Sequence, residues 1–280
     1  EKPEINGVSY RNGEDIVISE GEIIDFENTV SPYCEEYFTS LKGRIAYIEG
    51  SRGCPFSCAF CLSGRCGKVR FLPLERVKNE MVLLSDMGAK TIKFVDRTFN
   101  CNSKRAVEIL SFIRDEYGKK INNDVCFHFE IAADILTEEI FQVVSQMPIG
   151  AVQFEVGIQS FNEETLKKIN RKTNVDLVES NVKRLLSFGN CHVHIDLIAG
   201  LPLEDYNSFI SGFNRAYKIR ANMLQLGFLK ILYGSPMGED KESYPCVYSD
   251  KAPYEVISTP WISEAELEKL RVCENELERL

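Results

Sequence analysis

Three cysteines stand at one tight spacing, Cys54-Pro55-Phe56-Ser57-Cys58-Ala59-Phe60-Cys61, with Cys66 close behind. The other six, Cys34, Cys101, Cys126, Cys191, Cys246 and Cys273, are scattered singly. Ten cysteines in 280 residues do not make a small disulfide scaffold. Scattered thiols beside a tight cluster point instead to a reducing compartment and a metal site. Thiolates at C-x3-C-x2-C spacing can bind three irons of a cubane from one short loop, leaving the fourth iron without a protein ligand. An open metal position is what a catalytic site needs and a structural site avoids. Three other arrangements remain open at this point: a structural zinc site completed by Cys66, an electron-transfer cluster with Cys66 as fourth ligand, and an inert group of buried thiols. Zinc knuckles usually pair two C-x2-C halves, and the three-residue first gap departs from that.

The elements that must position this loop form a strand-then-helix rhythm that starts at Arg44. Strand candidates cover residues 45–49, 91–96, 126–131, 151–158, 192–198 and 223–229. Helical patterns, apolar at three- and four-residue spacing, cover 74–84, 103–117, 137–146, 176–188 and 206–219. Ser103 and Thr137 suit N-caps, and Gly88, Gly118 and Gly189 suit helix stops. Such alternation means parallel strands joined by right-handed crossovers. Six units make an α/β fold, a partial (β/α)6 TIM-like barrel or a strongly curved open sheet. The cysteine loop follows the first strand, at the end of the barrel where active sites lie.

Ahead of the barrel, residues 8–10 and 16–18 flank Asn12-Gly13 as an N-terminal β-hairpin, and Ser31-Pro32-Tyr33 reads as a connector. After Tyr233-Gly234-Ser235-Pro236 the rhythm ends, and residues 263–280 read as one charged helix capped by Ser263. The expected organisation is a lead-in over 1–40, the barrel over 41–237 and a C-terminal helical extension over 238–280. Glu1 in place of Met, and a helical pattern running on to Leu280, lead us to expect a chain cut from something longer.

Strand parity adds a chemical expectation. On the fifth strand Val193, Ile195 and Leu197 form an apolar face opposite His192, His194 and Asp196. On the fourth, Val152, Phe154, Val156 and Ile158 oppose Gln153, Glu155, Gly157 and Gln159. On the third, Phe127, Phe129 and Ile131 oppose Cys126, His128 and Glu130. Helices cover the outside, so the polar faces point inward. Barrel interiors are ordinarily filled by branched apolar side chains; one lined by carboxylates, amides and imidazoles is a chamber for a polar ligand. Glu130 and Glu155 can also pair inside it with Lys93, Arg97 or the histidines. Three inward imidazoles are expected to hydrogen-bond one another or a substrate rather than to hold a second metal.

Composition narrows the partners. At 44% hydrophobic and 27% charged residues the chain is globular, neither disordered nor fibrous. Its net charge of −9 speaks against nucleic acid or an anionic membrane as partner. No apolar run reaches a membrane span and no signal-peptide pattern appears, so a cytoplasmic location is expected.

The C-x3-C-x2-C loop, with an aromatic before its last cysteine and placed after the first strand of a six-unit barrel, resembles the radical S-adenosylmethionine superfamily. Phe94-Val95-Asp96-Arg97-Thr98-Phe99-Asn100 resembles the family segment that ends the second strand, and Glu155-Val156-Gly157-Ile158-Gln159-Ser160-Phe161-Asn162 the fourth-strand segment. Asn170-Arg171 and Asp196-Leu197-Ile198-Ala199-Gly200-Leu201-Pro202 resemble later elements of the branch that includes oxygen-independent coproporphyrinogen oxidase. The resemblance runs from Arg44 to Met237. The lead-in Gly7-Val8-Ser9-Tyr10-Arg11 and the tail Gln225-Leu226-Gly227-Phe228-Leu229-Lys230 look like Fe–S oxidoreductases that carry a cobalamin-binding domain upstream, often labelled by analogy with the anaerobic magnesium-protoporphyrin monomethyl ester cyclase. No cobalamin-binding motif is present in the 280 residues, so cobalamin is implied only through a domain preceding Glu1.

The resemblance implies a [4Fe–4S] cluster held by Cys54, Cys58 and Cys61, with S-adenosylmethionine on the open iron. It implies reductive cleavage to a 5′-deoxyadenosyl radical that acts on a small-molecule substrate, in an oxidoreductase, cyclase or methyltransferase, with flavodoxin or ferredoxin as electron donor. It further implies backbone contact from Phe60 to adenine, ribose contacts from Gln159 and Asp196, and a methionine-carboxylate contact from Arg171. Glu130 is implied for the amine or ribose, and Asp96 for the same end. A cluster-binding redox or scaffold module without turnover, and a tRNA-modifying member of the same superfamily, are the alternatives; the acidic balance disfavours the second.

Overall fold

The computed structural model describes residues 6–19, 21, 26, 29–277 and 279. A short antiparallel hairpin, β1 (Tyr10–Asn12) and β2 (Asp15–Val17), turns at Gly13 as the Asn-Gly pair predicts, its strands displaced from 8–10 and 16–18. After α1 (Glu35–Thr39) the chain enters β3 (Ile45–Ile48), then the short pair β4 (Ser51–Arg52) and β5 (Arg70–Phe71), which brackets the cysteine loop. The alternation continues through α2 (Leu74–Asp86), β6 (Thr91–Phe94), α3 (Ser103–Glu116), β7 (Cys126–Ile131), α4 (Glu138–Ser145) and β8 (Val152–Gln159). It closes with α5 (Glu163–Lys168), α6 (Val175–Ser187), β9 (His192–Ala199), α7 (Tyr206–Ile219) and β10 (Met223–Phe228). The tail holds α8 (Pro236–Glu239), β11 (Val247–Tyr248), β12 (Val256–Ser258) and α9 (Glu264–Leu277).

The six barrel strands form one sheet in the order β10-β9-β8-β7-β6-β3, every neighbouring pair parallel. Sequential neighbours joined by helices give the α/β partial barrel expected from the rhythm, with β3 and β10 left as its two edges. Each crossover helix turns an apolar stripe inward; on α3 it is Ala106, Ile109, Leu110 and Ile113. The expected stops at Gly88, Gly118 and Gly189 all have left-handed φ, between 69° and 86°. One cap moves: Asn102, not Ser103, caps α3, its Oδ1 accepting from the Arg105 N–H at 3.2 Å. Thr137 occupies the N-cap of α4, but its hydroxyl makes no capping bond.

The apolar faces of the strands carry the core. Phe94, Phe127, Phe129 and Phe154 are fully buried, and Phe129 lies 4.8 Å from Phe94 and 6.1 Å from Phe154, ring centre to ring centre. Each such side chain contributes about 1.5–3 kcal/mol by leaving water. With one face of the sheet so stabilised, the other is free to be polar. On β8 burial alternates strictly along the strand, with Gln153, Glu155, Gly157 and Gln159 on the half-exposed, concave side.

The C-terminal extension is stitched to the barrel. Val256 N–H donates to Leu229 O at 2.8 Å and Ile231 N–H to Tyr254 O at 2.9 Å, continuing beyond β10 as an antiparallel pairing. Val256, Ile262, Leu267 and Leu270 join the common core. Ser263 stands ahead of α9, its N–H and hydroxyl both donating to the Glu266 carboxylate (2.9 and 2.6 Å), which is the reciprocal half of a capping box. The pattern expected through Glu278 and Leu280 falls there on positions outside the described residues.

Candidate active site

The cysteine loop is fixed at three points. At its root, Asp96 Oδ1 accepts from the Gly50 N–H (2.7 Å) and Oδ2 from the Ser51 hydroxyl (2.5 Å). Within it, Gly64 passes so close to Phe56 that a Cβ there would stand 2.4 Å from the Phe56 carbonyl oxygen. On its far side, Ala59 N–H donates to Ile169 O (2.8 Å), Met237 N–H donates to Ala59 O (3.0 Å), and the Asn170 side-chain amide donates to Ser57 O (3.1 Å) and Oγ (2.7 Å). Asp96, the expected cofactor contact, is 4% exposed, with both oxygens engaged by the turn that launches the loop, and it does not line the cavity of the cysteines. Burial pushes its carboxyl upward against those hydrogen bonds.

Cys54, Cys58, Phe60 and Cys61 line one cavity of about 200 Å³. Cys54 Sγ lies 3.3 Å from Thr98 Oγ1, Cys61 Sγ accepts from the Ser63 N–H at 3.4 Å, and Cys58 Sγ faces Arg171 Nη1 at 3.6 Å. Burial pushes the Cys58 thiol up, and the charge and hydrogen bond of Arg171 pull it back. Among the described residues no three His, Cys, Asp or Glu side chains converge as a single metal ion requires. A cubane asks for something else, one thiolate at each of three separate corners, and the three cysteines that line this cavity have the donor atoms for it. The side chain of Cys66 lies outside the described residues.

The opposite wall comes from the polar faces of β7, β8 and β9: Glu130, Glu155, Gly157, Gln159 and Asp196, with Arg171 beside them. Two of its polar atoms, Gln159 Oε1 and Arg171 Nε, are buried with no hydrogen-bond partner among the described residues, and Asp196 Oδ1 has the His194 imidazole 2.9 Å away. Buried polar atoms are nearly always paired, so two orphans beside a carboxylate that keeps acceptor capacity mark the place of a polar ligand. Gln159 and Asp196 offer acceptors suited to sugar hydroxyls, and Arg171 a cationic donor suited to a carboxylate. Gln159 sits where the β8–β9 register shifts and has φ 72°, a left-handed conformation uncommon outside glycine. Its amide folds back over Gly157, where a Cβ would stand 2.2 Å from Gln159 Nε2. The residues present thus fit both a three-thiolate cluster and a nucleotide beside it.

Deeper in the chamber the inward charges pair as anticipated. Glu155 takes hydrogen bonds from His128 Nε2 (2.8 Å) and Lys93 Nζ (3.1 Å); these outweigh burial and hold its carboxyl down at about 2. Glu130 pairs with Arg97 Nη1 at 3.8 Å, and burial together with the Glu155 charge pushes its carboxyl up. His194 Nε2 pairs with Asp196 Oδ1 at 2.9 Å. Burial pulls the His194 pKa down, and the Asp196 and Glu155 carboxylates overcome it to leave it raised.

Three features have little signal in the sequence. Thr98 touches the Cys54 sulfur from the end of β6, where only position hinted at a role. The fork of Arg171 is largely engaged by the chain itself, since Nη1 faces Cys58 and Nη2 donates to Gly157 O. Ser160 and Glu204, both 2% exposed at the ends of β8 and β9, share a 2.6 Å hydrogen bond, and burial pushes Glu204 up to about 7.

Comparison with known proteins adds the family. A profile described as the radical SAM superfamily matches residues 48–211, and a second, described as a protein of unknown function (DUF4080), matches residues 242–280. An uncharacterized methyltransferase of Pyrococcus horikoshii is 32% identical over 160 residues, 56% of this chain and 33% of that protein. An oxygen-independent coproporphyrinogen-III oxidase-like protein of Bacillus subtilis is 25% identical over 223 residues, 73% and 43% of the two chains. The radical S-adenosylmethionine methyltransferase TsrM of Kitasatospora setae, solved with cobalamin and a [4Fe–4S] cluster, superposes with a TM-score of 0.70 at 16% identity, over 88% of this chain and 50% of that one. The chain thus spans between a third and a half of these proteins. With the profile covering most of the barrel and its cysteine loop, the chain belongs to the radical S-adenosylmethionine superfamily, whose cofactors are a [4Fe–4S] cluster and S-adenosylmethionine.

Proposed function

We propose that this protein reductively cleaves S-adenosylmethionine and turns the product on a small molecule. When bound, the cluster and S-adenosylmethionine supply an electron and a 5′-deoxyadenosyl radical, which takes hydrogen from the substrate. Cys54, Cys58 and Cys61 would hold the cluster. Asp196 and Gln159 would accept the ribose hydroxyls through their carboxylate and amide oxygens. Arg171 would turn its unpartnered Nε donor to the methionine carboxylate, with Glu130 for the amino group. Phe60 offers its backbone to adenine. The helices and the buried apolar layer keep water from the far side of the sheet, and the polar concave face receives the substrate.

The observation that carries this reading is the meeting, in one pocket, of the three cysteines, two buried polar atoms without partners and the Asp196 carboxylate. The relatives include methyltransferases and an oxidase-like protein, so the proposal stops at the step they would share. Residues 41–237 are taken as the catalytic barrel and 238–280 as its extension, with flavodoxin or ferredoxin as donor. Cobalamin enters only through a segment outside these 280 residues. Among the described residues no helix is long and apolar enough to cross a membrane. The test is product release: dithionite-reduced, cluster-loaded protein should form 5′-deoxyadenosine and methionine from S-adenosylmethionine. Cluster-loaded protein that forms neither is the redox or scaffold module instead.

A further inference from the structure

We propose that Arg171 sets the reduction potential of the cluster through the Cys58 sulfur. This rests on reading Cys54, Cys58 and Cys61 as the cluster ligands. The three sulfurs differ in what faces them. Cys54 Sγ meets Thr98 Oγ1 at 3.3 Å, but the Thr98 hydroxyl already donates to Arg97 O at 2.7 Å. Cys61 Sγ accepts from a neutral backbone N–H, that of Ser63, at 3.4 Å. Among the described residues, Cys58 Sγ is the one of the three recorded in contact with a formal positive charge, Arg171 Nη1 at 3.6 Å. It is also the most buried of the three, and burial is where a charge is screened least.

Arg171 is held there from several sides. Nη2 donates to the Gly157 carbonyl, so the guanidinium is tied to β8 as well as to the sulfur. The two residues before it are clasped to the loop, Ile169 by its carbonyl and Asn170 by its amide. A guanidinium cannot give up its proton in a protein, so the charge is permanent. Reduction adds one electron, and so one negative charge, to the cluster and its thiolates. A fixed donor and positive charge at one thiolate stabilise that reduced form, which raises the potential. Asn170, by contrast, carries no charge and touches Ser57 rather than a sulfur, so it shapes the loop without acting on the potential.

The test is potentiometric titration of the full chain, reconstituted anaerobically with iron and sulfide. Dithionite supplies the electron, and the paramagnetic signal of the reduced cluster is followed against potential. Arg171→Gln is expected to bind as much iron and sulfide as wild type, with a tenfold smaller equilibrium constant for reduction, about 59 mV lower for one electron. Asn170→Ala is expected to bind less iron and to keep the wild-type midpoint. Should Arg171→Gln assemble no cluster, Arg171→Met carries the measurement: it keeps an unbranched stem but has neither charge nor N–H donor, so the midpoint again falls. A wild-type midpoint in whichever Arg171 variant holds the cluster overturns the proposal. A wild-type chain that assembles no cluster overturns the ligand reading beneath it instead.

Discussion

The side-chain amide of Asn170 reaches back 113 positions to the hydroxyl of Ser57, at 2.7 Å, and so ties the end of α5 to the middle of the cysteine loop. Asn170 itself has φ 54°, a left-handed conformation that asparagine tolerates better than most residues. Removing the amide should cost about 1 kcal/mol of stability, since the bond is exposed. Asn170→Ala should therefore unfold at slightly lower urea and take up less iron on reconstitution. Wild-type iron content in the variant would show that the loop holds its shape without this tie.

Gly157 is where Gln159 lies back on β8. A methyl group there, 2.2 Å from Gln159 Nε2, must push the amide aside. Gly157→Ala should weaken S-adenosylmethionine binding about tenfold, near 1.4 kcal/mol, while leaving the cluster in place. Asp196→Ala should do the same by removing the other acceptor. Equilibrium binding of S-adenosylmethionine to cluster-loaded variants checks both; unchanged affinity in both would place the ribose elsewhere.

Glu204 makes stability depend on pH. Its carboxyl, ordinarily near 4.5, is pushed up to about 7 by burial, with Ser160 on one oxygen and nothing on the other. The folded chain keeps this proton longer than the unfolded chain does. Stability is then fully present below the unfolded value and is lost as pH rises through about 7. The loss amounts to about 3 kcal/mol. Glu204→Gln cannot ionise, so wild type should fall behind it by that amount between pH 4 and pH 8 in urea unfolding. Parallel pH profiles would contradict the assignment.

Much of this architecture is legible in the chain because strand parity and helical spacing are strong signals. The alternation of Val152 to Gln159 predicts both the buried face of β8 and the polar wall of the chamber. What escapes is short or three-dimensional. Six residues of α5 are too few to show a period, yet that helix delivers Asn170 and Arg171 to the loop. Asp96 has the right chemistry for a ligand contact at the right strand end, and only the structure shows Gly50 and Ser51 claiming both its oxygens. Nothing in the spacing of Ser160 and Glu204, 44 residues apart, announces their bond.

The cysteines are graded by the same account. Replacing Cys54, Cys58 or Cys61 singly with Ala should abolish cluster assembly or cofactor cleavage, measured as iron content and 5′-deoxyadenosine, whereas Cys66→Ala should be tolerated. Equal loss at Cys66 would point to a centre with four thiolates.

The most direct measurement is electron paramagnetic resonance of anaerobically reconstituted, reduced protein with and without S-adenosylmethionine. A [4Fe–4S] signal whose shape changes when the nucleotide is added is expected, because one iron is left open to it. A protein that holds zinc, or a cluster signal indifferent to S-adenosylmethionine, would contradict it.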